Sequence, residues 1–114
     1  ILASVVLASL RTARDKGADA AIKSQINNTR AQAELFYDSQ TPVKTFTGLC
    51  GDGTILTIKA SVESQGTTFD CQASGNEYRI HAPLKTAGAG TYCVDSTGKA
   101  YSGTAAMPGG FVCP

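Results

Sequence analysis

The pattern of hydrophobic and polar positions divides the chain near residue 40. Residues 1–10 (ILASVVLASL) are apolar apart from two serines. From Arg11 onwards, apolar residues recur at steps of three, four or seven, which is the spacing of one helix face; they are Ala18, Ile22, Ile26, Ala33 and Phe36. Because Pro42 disfavours helical geometry at the residue before it, the pattern predicts one helix that ends near Asp38–Ser39.

The predicted helix is long for so small a protein. At 1.5 Å per residue, about 38 residues extend over about 57 Å, which exceeds the span of a 114-residue globule. Part of the helix must therefore protrude, and the protruding part is the apolar end, so the sequence implies a partner or a membrane. Arg11 with Asp15 and Asp19 with Lys23 are opposite charges four residues apart, and Gly17 is a weak point that could mark a bend.

The pattern of residues 40–66 predicts a loop followed by a short helix or strand. Residues 40–53 read as a loop, and residues 55–62 (ILTIKASV) fit either a helix or a strand. We favour a short helix that starts at Asp52 or Thr54, since both residue types cap helices well.

After Gly66 the pattern becomes that of a β-sheet. Four apolar residues, Tyr78, Ile80, Ala82 and Leu84, alternate with Glu77, Arg79 and His81. Residues 91–95 and 99–102 predict two further strands in an antiparallel meander, and an edge strand could lie near 68–72. We expect Tyr78, Ile80, Tyr92 and Val94 to pack on the C-terminal half of the helix. The fold class is α+β, with a helix over 1–39 and a globular head over 40–114.

Composition and charge argue against a general electrostatic attraction to nucleic acid or to membranes. Ten Lys and Arg against nine Asp and Glu leave no global field that would attract nucleic acid or membranes. The basic excess of residues 1–30 reads as a solvated helix face. The aromatic residues do not form a stacking platform beside basic residues. A nucleic-acid partner therefore stays an open alternative that no feature of the sequence supports.

The four cysteines indicate disulfides. Cys50, Cys71, Cys93 and Cys113 are separated by 21, 22 and 20 positions, without the close pairs of zinc sites or thioredoxin-type motifs. Two disulfides in an oxidising compartment fit better. Three connectivities are open, and we favour Cys50–Cys71 with Cys93–Cys113, each closing a loop worth about 3 kcal/mol.

No catalytic constellation emerges from the remaining residues. His81, the one histidine, has no serine or cysteine nucleophile nearby in sequence. Asp52 and Asp95 are predicted turn residues, each a local cap or an Asx turn, and no calcium-loop motif is present. We therefore predict a protein that is not an enzyme, with no cofactor and no metal site.

The sequence ILASVVLASLRTARDKGADAAIKSQINNTRAQAELFYDS resembles the N-terminal helix of bacterial type IV pilins just after the cleavage-site region. The stretch YCVDSTGKA at 92–100 is similar to a strand–turn–strand of the same group. The order of helix, loop, meander and disulfide-closed C-terminal loop also resembles these proteins. The family's cleavage motif is absent from these residues, and we expect it upstream of residue 1.

The resemblance implies a structural subunit of a pilus on the cell surface, anchored in the inner membrane before assembly. Its partners would be copies of itself and the pilus assembly machinery, and the filament would serve adhesion, motility or DNA uptake. The residues expected to drive filament assembly are Ile1, Leu2, Val5, Val6, Leu7 and Leu10. Two alternatives stay open: a pseudopilin of a type II secretion system, and a minor pilin that grips DNA or a host surface.

Overall fold

The computed structural model describes residues 2–114, with side chains from Val5 onwards. Ile1 and the side chain of Leu2, both expected to drive assembly, lie outside the described residues. The first element, α1, is a helix of 38 residues from Leu2–Ser39. It ends where the sequence predicts, and it gives the molecule its elongated shape of 65 × 27 × 16 Å.

One stripe of α1 is buried, and it contains the predicted apolar positions. Ile22, Ile26 and Ala33 are fully buried, and Ala18 and Phe36 are half-buried. Thr29 fills the gap of seven residues between Ile26 and Ala33. It is also fully buried, and its hydroxyl donates a hydrogen bond to the carbonyl of Ile26 at 2.5 Å.

The ambiguous stretch after the loop is a helix. A 3-10 turn over Leu49–Gly51 leads into α2, Gly53–Glu63. The Asp52 carboxylate caps α2 by accepting the backbone N–H of Thr54 at 3.1 Å and that of Ile55 at 3.3 Å. Three residues at helical spacing are buried, namely Ile55, Ile58 and Val62, which confirms the helix prediction.

Four antiparallel strands form one sheet in the order β1-β2-β3-β4. The strands are β1 Asp70–Ser74, β2 Glu77–Pro83, β3 Thr91–Asp95 and β4 Ala100–Gly103. The edge strand expected near 68–72 is present as β1. The predicted α+β fold class, with a long helix on an antiparallel meander, is confirmed.

The core lies between α1, α2 and one face of the sheet. That face carries Tyr78, Ile80, Ala82, Tyr92 and Val94, all buried, and packs on the C-terminal half of α1 as expected. Phe46, from the loop after α1, packs between two tyrosines, with ring centroids 4.7 Å from Tyr37 and 4.8 Å from Tyr78. The core is therefore made of residues from both sides of position 40.

The centre of the opposite face of the sheet is covered, where the alternation of β2 suggested a polar face, whereas Asp70, Gln72 and Glu77 on the same face are exposed. Arg79 is only 6% exposed. Its Nη1 donates to the carbonyls of Pro108 at 2.6 Å and Val112 at 2.9 Å, so the C-terminal segment lies over it. Residues 104–114 form no helix or strand, and the Cys93–Cys113 disulfide fastens them to β3.

Candidate functional site

The N-terminal part of α1 is the most unusual surface of the described molecule. Every side chain of residues 5–14, which we call the exposed arm, is classed as exposed. Val5 is 60% exposed, Val6 56%, Leu7 67% and Leu10 59%. Large apolar side chains with this much exposure are normally scattered singly, whereas here four lie within six residues.

Local sequence explains why the arm is nevertheless helical. Alanines and leucines have high helix propensity, and the Thr12 hydroxyl donates to the Ala8 carbonyl at 3.1 Å. Shallow, open grooves run along the arm, lined chiefly by the small side chains of Ala8, Ser9, Thr12 and Ala13. Within the part of the chain that the structure describes, no helix is both long and apolar enough to cross a membrane.

The arm joins the head at Asp19, which is the first buried residue along α1 from Val5 onwards. Its carboxylate accepts the backbone N–H groups of Lys85 and Thr86, the second at 3.1 Å, in the loop between β2 and β3. Burial alone would raise the pKa of Asp19. The hydrogen bonds from Thr86 and Lys85 and the charge of Lys23 outweigh it and lower the pKa.

Asp19 and Lys23 carry opposite charges four residues apart, but they are not a pair that comes within 4.0 Å. Among the described residues the ion pair within that distance is Lys44–Asp38, and His81 Nε2 lies within the same distance of Asp70 Oδ2. The Asp19 carboxylate instead accepts hydrogen bonds from the head. The Lys23 ammonium lies 5.9 Å from the centre of the Tyr92 ring. The pattern offered a signal for this: positions 19, 22, 26, 29 and 33 form one helical series, so Asp19 and Thr29 both fall on the buried stripe.

Two more polar contacts hold the packed half of α1 against the sheet. Arg30 donates from Nη2 to the carbonyl of Gly98, in the turn between β3 and β4, at 3.2 Å. The Tyr92 hydroxyl donates to Asn27 Oδ1 at 2.7 Å. With Asp19, these contacts fix α1 at three heights along the head, and none of them involves the arm.

Asp95 forms the predicted Asx turn and a second contact that sequence did not indicate. Oδ1 accepts the backbone N–H of Thr97 at 2.8 Å, as in an Asx turn. Oδ2 accepts the backbone N–H of Cys113 at 2.7 Å. Burial favours a raised pKa for Asp95, but the hydrogen bonds from Thr97, Cys113 and Lys99 lower it. Asp95 therefore fastens the C-terminal segment beside the disulfide.

All four cysteines are paired in the favoured connectivity. Cys50 is bonded to Cys71, and Cys93 is bonded to Cys113. The first disulfide ties the 3-10 turn before α2 to the edge strand β1, and the second ties the C-terminal segment to β3. Both lie in the head, so neither constrains the arm.

The remaining candidate residues of the head have local roles. His81 is half-buried, with Nε2 3.6 Å from Asp70 Oδ2. Burial lowers the pKa of His81, Arg79 lowers it further, and the charge of Asp70 acts in the opposite direction. Asp52 caps α2 and accepts a hydrogen bond from Gln32 Nε2 at 3.1 Å. In the described residues, His, Cys, Asp and Glu nowhere form a group of three that could hold a metal ion.

The molecule thus combines an exposed, apolar helical arm with a cross-linked head that packs on the other half of the same helix. The helix and the four-stranded meander are compatible with a pilin-like fold. No protein-family model, curated protein or solved structure matches this chain.

Proposed function

We propose that this chain is a structural subunit of a type IV pilus or a closely related filament, and that it polymerises through its N-terminal helix. The observation that supports the proposal is the exposed arm, where Val5, Val6, Leu7 and Leu10 remain 56–67% exposed. In a filament of this kind the arms pack against one another in the fibre core, and the heads form the outer surface. Before assembly the apolar end is held in the inner membrane.

The head supports the same proposal. Three polar contacts and a buried stripe hold the second half of α1, so the arm can change its surroundings while the head keeps its structure. Two disulfides fit a protein that works outside the reducing cytosol. The exposed side chains of the arm offer apolar contact area and cations.

The energetics limit what the isolated chain does. Full burial of a large apolar side chain contributes about 1.5–3 kcal/mol, but a contact between two helices buries only part of each side chain. Association first costs several kcal/mol of translational and rotational freedom. We therefore expect the 114-residue chain to be monomeric or weakly self-associated at micromolar concentration in sedimentation experiments, whereas filaments require the membrane and the assembly machinery.

Asp substitutions on the arm test the proposal directly. In the protein as the organism that encodes it expresses it, Val6→Asp or Leu10→Asp should abolish filaments seen by electron microscopy and recovered after shearing. Val43→Asp is the matched control, because Val43 is 72% exposed in the loop after α1, outside the arm. Thermal unfolding of the same variants should show intact heads. Normal filament assembly by Val6→Asp and Leu10→Asp would defeat the proposal.

A further inference from the structure

A basic band follows the apolar end of the arm before the head begins. Arg11, Arg14 and Lys16 are all exposed, and the ion pair found within 4.0 Å among the described residues is formed elsewhere, by Lys44 with Asp38. Only one carboxylate, that of Asp15, interrupts the band. With a rise of 1.5 Å per residue, the band from 11 to 16 is about 8 Å high.

The angular distribution of the apolar and basic side chains around the helix axis indicates how this segment would contact a membrane or a partner helix. Successive residues are about 100° apart, so Val5, Val6 and Leu7 alone span about 200°, and Leu10 falls between Val6 and Leu7. Arg11 and Arg14 lie about 60° apart, and Lys16 lies about 140° or more from both, on the other side of the helix. The large apolar side chains thus cover a little more than half of the helix circumference. Arg14 and Lys16 fall within the same arc, so the segment has no separate apolar and polar faces.

This arrangement fits a helix that enters a bilayer end-on. A helix lying in the membrane plane needs one apolar face and one polar face, and a single partner helix needs one apolar stripe. An apolar end followed by a ring of cations instead matches the layers met along the bilayer normal. The headgroup layer on each side of the hydrocarbon is about 5–8 Å thick, which is close to the height of the basic band.

We infer that Arg11, Arg14 and Lys16 bind the phosphate groups of anionic lipids and set the depth to which the apolar end inserts. The inference rests on the membrane-held stage of the proposed function and names its lipid partner. Charge complementarity selects anionic over zwitterionic lipid, because each Lys or Arg near an anionic surface strengthens binding about five-fold. Asp19, three residues beyond the band, then fixes the head just outside the headgroup layer.

The first test measures vesicle binding of the 114-residue chain by flotation. Vesicles of phosphatidylcholine alone are compared with vesicles containing about 30% phosphatidylglycerol. The unmodified chain should prefer the anionic vesicles, and added salt should weaken that preference. The triple variant Arg11→Gln, Arg14→Gln, Lys16→Gln should lose roughly 100-fold in affinity for them. Glutamine keeps helix propensity high, so the arm should remain helical.

The matched control removes the same charge from the head. Lys44→Gln, Lys59→Gln, Lys99→Gln replaces three exposed lysines and should bind anionic vesicles within a few-fold of the unmodified chain. An equal loss in both triple variants would overturn the inference, since it would reduce the effect to net charge. Unchanged binding by the arm variant would overturn it as well.

The second test measures depth. The chain contains no tryptophan, so Leu10→Trp introduces a single fluorophore at the end of the apolar segment. Its emission should shift to the blue on anionic vesicles, whereas Val43→Trp on the head should not respond. A solvent-exposed signal from Leu10→Trp on bound protein would overturn the insertion. Filament loss in Val6→Asp combined with wild-type vesicle binding by the arm triple variant would leave the proposed function standing and remove this inference alone.

Discussion

The two halves of α1 belong to one continuous helix but have different surroundings. In residues 5–14 every side chain is exposed, and the large apolar ones point in several directions. In the second half, most of the large apolar residues form one stripe, in which Ile22, Ile26 and Ala33 are fully buried, and Leu35 is the exception at 64% exposed. Helical geometry alone therefore does not reveal which half of α1 packs on the head. The angular distribution of the apolar side chains around the helix axis does.

The polar residues of the two halves differ in the same way. Asp19, Asn27 and Arg30 bind three separate parts of the head. Arg11, Arg14 and Lys16 in and beside the arm face solvent. The packed half thus contributes to the free energy of unfolding, while the arm offers its surface to other molecules.

Truncation of apolar side chains should give the largest contrast between the halves. Ile26→Ala removes a fully buried side chain and should lower the free energy of unfolding by about 2–5 kcal/mol. Leu7→Ala, in the arm, should change it by less than about 0.5 kcal/mol. Urea unfolding of both variants measures this, and equal losses would show that the arm packs on the head.

Asp19→Asn should sharpen the boundary between the halves. The variant keeps the shape of the side chain but loses charged acceptors for two backbone N–H groups, and we expect a loss of about 1–3 kcal/mol. Amide exchange should accelerate first at Lys85 and Thr86. Asp15→Asn, one turn earlier and without such contacts, is the control, and a similar effect in both would contradict this assignment.

Acidification should weaken the head in two steps. The pKa of His81 is lowered from 6.5 by its burial, so the unfolded chain binds the proton more readily and stability falls as pH decreases below that value. The pKa values of Asp19 and Asp95 are lowered from 3.8, so their contribution is present above that pH and is lost below it. Urea midpoints from about pH 8 to about pH 3 measure both steps. His81→Gln should remove only the first; if that step persists, another group causes it.

Gly17→Ala should have the smallest effect and act mainly on the arm. A Cβ at Gly17 would meet nothing within 4 Å, so the variant gains helix propensity of about 0.5–1 kcal/mol without a clash. Circular dichroism should show slightly higher helicity, and amides of the arm should exchange more slowly. Ala20→Gly, at an exposed position on the packed half, should lose a similar amount. A destabilising Gly17→Ala would indicate that this position must bend.

Elements with local signals could be predicted from the amino-acid sequence alone. The stripe from Ala18 to Phe36 and the proline at 42 defined the body and the end of α1, and alternation around Tyr78 defined β2. Helical spacing favoured α2, and the buried Ile55, Ile58 and Val62 settled that choice. The exposed apolar arm could also be predicted from the sequence, because a helix of this length is longer than the span of so small a head.

The hydrogen-bond partners of the buried polar residues became clear only from the packing of the elements. The position of Asp19 on the buried stripe gave a hint, but its partners lie 66 and 67 residues away in the chain. Arg79 alternates as a surface residue would, yet the C-terminal segment covers it, and Asp95 binds that segment with the oxygen left free by its turn. Local patterns report which side of an element faces inward. They do not report which distant backbone groups a buried charge will satisfy, because that depends on how the elements pack and where the irregular segment runs.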